Sequence, residues 1–118
     1  MRGTILVVES EPSLLETIMY ALIDEGYIVS GTTRSQEALA IIAENTIDLL
    51  VTDLNLLDSN AVDLIKRSRL FDPEIGAVVI ADDSSYNTIM DTITAGINSV
   101  LIRPFNSAQL VKACTEAI

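Results

Sequence analysis

TILVVESEP (residues 4–12) is the stretch that decides the fold. Ile5, Leu6, Val7 and Val8 form an unbroken apolar run. A strand with one solvated face alternates; an unbroken run is what a strand covered on both faces requires. Glu9, Ser10 and Glu11 follow, then Pro12. Proline lacks an N–H and has a fixed φ, so a helix tolerates it in the first turn. Beyond it, Leu14, Leu15, Ile18, Met19 and Leu22 recur at helical spacing over residues 12–25. Gly26 stands where a helix C-terminus favours glycine. The stretch predicts a buried strand, an acidic turn and a helix. Glu11 and Pro12 are expected to open that helix, with Ser10 a candidate N-cap.

The same unit recurs along the chain. Further strands are expected at Tyr27–Val29, Ile47–Thr52, Ile75–Ala81 and Val100–Ile102. Helices are expected at 35–45, 61–71, 85–95 and 107–118, the last capped by Asn106 or Ser107. Asp58, Ser59 and Asn60 are expected turn and cap formers, and Asp72-Pro73 closes the third helix. Buried strands alternating with helices predict an α/β fold with a doubly wound parallel sheet. The whole of residues 1–118 reads as one domain.

Composition narrows the function. There are 17 acids against 7 bases, a formal charge of −10. That argues against nucleic-acid binding by this domain, which needs a basic patch. No apolar run approaches the roughly 20 residues of a membrane span, and no signal peptide is visible. The single cysteine, Cys114, fits a reducing cytoplasm and reads as a packing residue. There is no histidine, so imidazole-based zinc sites, Ser-His-Asp triads and phosphohistidine chemistry are excluded within the chain.

Ligands of doubly wound sheets gather beyond the carboxyl ends of the strands. Glu9 and Ser10 stand at the first such end, Asp53 at the third, Ala81 with Asp82 and Asp83 at the fourth, and Arg103-Pro104 at the fifth. Carboxylate oxygens suit Mg²⁺, and a cation opposite them suits a phosphoryl group. A carboxylate can itself take up a phosphoryl group as an acyl phosphate. The plain alternatives are a turn residue at Asp53 and a surface pair between Arg103 and Asp82.

At this point the sequence resembles the receiver domain of two-component response regulators. ILVVESEP is similar to the family's ILVVDDEP. DLLVTDLNLLDSNAVDLI is similar to the phosphoacceptor segment, and AGINSVLIRPF to AGAxxYLxKPF. The resemblance implies a flavodoxin-like (βα)5 fold with a five-stranded parallel sheet in the order 2-1-3-4-5. It places Asp53 at the phosphoacceptor and Arg103 at the lysine that contacts the phosphoryl group. It places Glu9, Ser10, Asp53 and the backbone carbonyl of Asn55 at the Mg²⁺ site. The Arg103–Pro104 bond is expected to be cis. Implied partners are a histidine kinase or phosphotransfer protein, in a bacterial cytoplasm. A homodimer through the face of the fourth helix, fifth strand and fifth helix is a further expected contact, where Ile89, Met90, Ile93 and Ile97 supply apolar surface. Like its relatives, the domain is not expected to be an enzyme beyond phosphoryl transfer onto itself.

The departures from the family pattern fall in the site. Glu9 keeps a charge but reaches one methylene further than Asp, and Ser10 removes a charge. Mg²⁺ demands near-ideal octahedral geometry, so its site is expected to be weakened or absent. Ala81 stands where the family has a Ser or Thr hydroxyl, and Val100 where it has Tyr or Phe. Both switch positions are therefore degenerate, and Ser84 and Ser85 are poorly placed to compensate. Arg103 offers a planar fork in place of an ammonium. Leu57 and Ala61 replace the usual Pro and Gly. The rival reading is a pseudo-receiver, a protein-interaction module without phosphorylation. A flavodoxin-like cofactor binder lacks the phosphate-cradling loop after the first strand. The chain is expected to be either a stand-alone receiver or one domain of a longer protein.

Overall fold

In the computed structural model, residues 2–82 and 96–118 are described. The helix expected over 85–95 lies outside the described residues, together with Asp83, Ser84, Ser85, Ile89, Met90 and Ile93. The strands are β1 (Thr4–Val8), β2 (Ile28–Thr32), β3 (Leu49–Asp53), β4 (Gly76–Ala81) and β5 (Ser99–Ile102). They pair in parallel in the order β2-β1-β3-β4-β5. Four described helices connect or follow them: α1 (Pro12–Asp24), α2 (Ser35–Glu44), α3 (Ala61–Phe71) and α4 (Ser107–Ala117).

The unbroken apolar strands do what their pattern requires. Successive side chains point to opposite faces, so each strand feeds two cores. Ile5, Val7, Leu49, Val51, Val78, Ile80 and Leu101 pack with Ile18 and Leu22 of α1 and Leu110, Ala113 and Cys114 of α4. Leu6, Val8, Leu50, Ala77, Val79 and Ala81 pack with Ala38 and Ile42 of α2 and Leu64 and Ile65 of α3. Each fully buried Leu or Ile contributes about 1.5–3 kcal/mol relative to exposure. Burial pushes the Cys114 thiol up to about 12, which leaves it a protonated packing group.

Local signals set most of the boundaries. Pro12 occupies the first turn of α1, and Gly26, at φ +96°, follows its end with its N–H donating to Ile23 O. Asn106 caps α4 in a reciprocal box with Gln109. The N-cap expectation for Ser10 is corrected: Glu11 holds that position, with no side-chain cap, and Ser10 Oγ donates to Glu9 Oε2 at 3.4 Å. The second strand runs on through Ser30, Gly31 and Thr32, because the ladder with β1 outweighs the weak strand propensity of Ser30 and Gly31. A Cβ on Gly31 would lie against Met19 Sδ and Leu15 Cδ1, so glycine is what lets α1 sit close to this strand. The third strand starts later, at Leu49; Asp48 before it is exposed, and its carboxylate accepts from Thr4 N.

Register places the site. Val8 pairs with Thr52, Asp53 with Ile80, and Ala81 with Ile102. Glu9, Asp53, Ala81 and Arg103 therefore emerge together at one edge of the sheet.

Candidate functional site

Glu9 leaves the end of β1 with only 1% of its surface exposed, and Asp53 ends β3 at 8%. Charges so nearly enclosed need a counter-charge. Arg103 supplies it. Its Nη2 lies 2.8 Å from Glu9 Oε1 and 3.1 Å from Asp53 Oδ1, so one nitrogen bridges both carboxylates. Its Nη1 stands 3.7 Å from Asp82 Oδ1, on a side chain that is 59% exposed. The expected pair with Asp82 is present but is the longest contact: the short ones are to the buried carboxylates, where desolvation strengthens attraction. The Arg103–Pro104 bond is cis, as expected, and Arg103 N donates to Ala81 O.

The electrostatics follow the geometry. Burial raises the Glu9 carboxyl above its ordinary value, and the Asp53 charge pushes the same way; Arg103 opposes them. Burial works against the Arg103 charge, but Asp53 and then Glu9 outweigh it and hold the guanidinium above its usual range.

The loop after β3 is closed by its own hydrogen bonds. Leu54 N donates to Ile80 O, Leu56 N to Ser59 O, and Ala61 N back to Leu54 O. Asn55 bridges Asn60 within this turn, and Asn60 caps α3 by accepting from Asp63 N. Asp58 has a role beyond the turn. Its two carboxylate oxygens accept from Ser35 N and Gln36 N, at 2.9 and 3.1 Å, and so cap α2, whose own N-cap Arg34 offers no side-chain bond. Those backbone N–H groups hold its carboxyl below the ordinary value. The Asp-Ser-Asn sequence marks a capping loop, but nothing in it names a helix 23 residues away. Leu57 is exposed in the loop, and Ala61 is buried at the start of α3.

The β4–β5 side offers no polar group at the two switch positions. Ala81 is buried in the core shared with α2 and α3, and Val100 packs against the same cluster. Neither can hydrogen-bond a phosphoryl oxygen.

The donor set was compared with the needs of a divalent ion. Among the described residues, no three Asp, Glu, Cys or His side chains converge to hold a metal. Glu9 and Asp53 converge, but each has an oxygen committed to Arg103 Nη2. Ser10 turns its hydroxyl to Glu9. These residues fit a guanidinium and do not fit an octahedral ion.

Comparison with known proteins gives the family. Residues 5–115 match the family model described as response regulator receiver domain. The chain is a response regulator receiver domain. Receiver domains are in general not enzymes, typically bind Mg²⁺, and interact with histidine kinases or phosphotransfer proteins. The domain is 31% identical over 117 residues to the alginate biosynthesis transcriptional regulatory protein AlgB of Pseudomonas aeruginosa, covering 99% of this chain and 26% of that protein. It is 29% identical to the DNA-binding transcriptional regulator NtrC of Rhizobium meliloti, over 98% of this chain and 24% of NtrC. The chain thus spans about a quarter of the length of these curated relatives. Among solved structures, a receiver domain protein from Clostridium thermocellum superposes with a TM-score of 0.92 at 24% identity, covering 98% of this chain and 94% of that one. The likeness to it is one of fold. NtrX from Brucella abortus gives 0.92 at 25% identity, over 99% of this chain and 27% of NtrX. No helix among the described residues is long and apolar enough to cross a membrane.

Proposed function

We propose that Asp53 is the residue through which this receiver domain takes up a phosphoryl group in a phosphorelay. The observation that carries the reading is the hold of Arg103 on Asp53. One carboxylate oxygen, Oδ1, is fixed by the guanidinium, and no described residue donates to Oδ2. Oδ2 is then the attacking oxygen. As its bond to phosphorus forms, the P–N bond of the donor phosphohistidine breaks, and the departing imidazole takes a proton from solvent. The donor histidine comes from another protein, a histidine kinase or phosphotransfer protein, because this chain has none. Arg103 balances the negative charge that accumulates on the phosphoryl oxygens.

The four positions assigned to Mg²⁺, Glu9, Ser10, Asp53 and the Asn55 carbonyl, form at most a weak site. The missing charge at Ser10 and the guanidinium on both carboxylates are the reasons. With alanine and valine at positions 81 and 100, output does not run through a hydroxyl–aromatic exchange. The reading includes a cytoplasmic location and residues 1–118 as the unit that receives the phosphoryl group. A homodimer is proposed through the face of β5 and α4, where Ile102 is exposed at the sheet edge; sedimentation velocity of the phosphorylated chain tests it.

The test of the acceptor is direct. The chain is incubated with a small-molecule phosphoryl donor and weighed intact, beside Asp53→Asn. Addition of one phosphoryl mass to the natural chain alone is expected. No addition, with a competent receiver labelled in parallel, would overturn the reading and leave an interaction module without phosphoryl chemistry.

A further inference from the structure

Convergent carboxylates at the edge of a sheet need a cation between them, and in this chain the cation is covalently attached. Arg103 Nη2 reaches Glu9 Oε1 at 2.8 Å and Asp53 Oδ1 at 3.1 Å. The contacts are made by a single nitrogen, so that nitrogen stands between the two carboxylates. Arg103 is anchored through its backbone as well, and its guanidinium has a further, longer contact. Arg103 N donates to Ala81 O, the following Pro104 has no N–H to offer, and Nη1 faces Asp82. A divalent ion bound to Glu9 and Asp53 would either displace Nη2 from Oε1 and Oδ1 or sit on Oε2 and Oδ2 beside the guanidinium, against its positive charge. It would recover little in return, because Ser10 supplies a neutral hydroxyl already turned toward Glu9.

We propose that Arg103 takes the place of the divalent cation, so that Asp53 accepts a phosphoryl group without metal and the carboxylate pair excludes Mg²⁺ while Arg103 is present. The proposal rests on the reading of Asp53 as acceptor for the metal-free transfer only. The transfer needs no co-reactant beyond the donor. The P–N bond of the donor breaks, the P–O bond to Asp53 forms, and Arg103 releases Glu9 in part to follow the new negative charge.

Mn²⁺, whose free form is visible by electron paramagnetic resonance, serves as the metal probe, and phosphoramidate as the P–N donor. The natural chain is expected to leave millimolar Mn²⁺ free. Arg103→Met, which frees both carboxylates, is expected to bind Mn²⁺ at least about tenfold more tightly, and adding Glu9→Gln to it is expected to remove that gain. Arg103→Lys, which keeps a charge, guards against loss of folding in the methionine variant and is expected to bind less Mn²⁺ than Arg103→Met. Equal Mn²⁺ binding by the natural chain and Arg103→Met overturns the proposal; if the methionine variant is unfolded, Mn²⁺ binding by the natural chain at millimolar concentration does so. In the second arm, phosphoryl uptake from phosphoramidate is expected at equal rates in chelator and in Mg²⁺. A rate about tenfold higher with Mg²⁺ overturns the metal-free transfer. If no uptake occurs in either medium, the acceptor reading fails, and the Mn²⁺ arm still decides whether Arg103 excludes the metal.

Discussion

The two halves of the site are built on different principles. On the β1–β3 side, Glu9 and Asp53 are enclosed charges, and the loop from Leu54 to Ala61 is closed by backbone bonds and two caps. On the β4–β5 side, Ala81 and Val100 are apolar packing residues, and among the described residues Arg103 is the charged group that reaches across. The difference teaches where specificity resides. The side of Glu9 and Asp53 carries polar chemistry, whereas Ala81 and Val100 on the other side belong to the core. Charge is held in place here by one long side chain spanning the sheet.

Removing that span should break the comparison most strongly. In Arg103→Met the Glu9 and Asp53 carboxylates face each other without a counter-ion. Breaking a buried pair costs roughly 3–5 kcal/mol, and partial exposure of Arg103 reduces this to about 2–3 kcal/mol. Thermal unfolding should show a midpoint lower by about 10 °C at neutral pH. The deficit should shrink as acid neutralises the two carboxyls; an unchanged midpoint would mean that the bridge contributes nothing.

Restoring polarity to the apolar half should sharpen the contrast. Ala81→Ser adds a hydroxyl at the end of β4, where a phosphoryl oxygen on Asp53 would come within reach. Uptake followed by intact mass should quicken by about tenfold, below what a preorganised donor provides. Burying the hydroxyl should cost about 1 kcal/mol in a denaturant melt. No change in rate would show that residue 81 does not face the phosphoryl group.

Two smaller effects separate the carboxyls by sign. The Asp58 carboxyl is held below its ordinary value of 3.8 by the Ser35 and Gln36 N–H groups. Its contribution to stability is therefore complete above that value and is lost as pH falls through its folded value. Asp58→Asn should flatten this acid limb in melts recorded across acidic pH, and an identical limb would remove Asp58 from the capping of α2. Glu9 has the opposite sign. Its carboxyl is raised above 4.5 by burial and by Asp53, so the ionised form is disfavoured in the folded state. That preference favours folding below 4.5 and is lost as pH rises through its folded value. Glu9→Gln should accordingly raise the melting temperature more at neutral pH than in acid; the reverse would mean that the bond to Arg103 outweighs the burial of charge.

Much of the fold was legible from local pattern. The third helix was bounded correctly at 61–71, because its cap, its apolar period and Asp72-Pro73 agree. The second strand extends beyond Tyr27–Val29, because Ser30 and Gly31 are poor strand formers that a neighbouring strand holds extended. Glu9, Asp53 and Arg103 were singled out by their places at strand ends, and they do meet. Ser10 was credited with a cap it does not make, since the choice between the helix N-terminus and the Glu9 carboxylate is settled by three-dimensional reach.

By itself the sequence determined the alternation of strand and helix, the burial of strands on both faces, the carboxylate at the end of β3, and the loss of hydroxyl and aromatic at positions 81 and 100. These are matters of residue type and period, which a linear chain carries in full. Only the tertiary structure decided that Arg103 bridges Glu9, 94 residues away, and Asp53 with one nitrogen, and that Asp58 caps a helix other than its own. Such contacts depend on strand order and register, which set the neighbours of a side chain, and on burial, which makes the enclosed carboxylates stronger partners for Arg103 than the exposed one at Asp82.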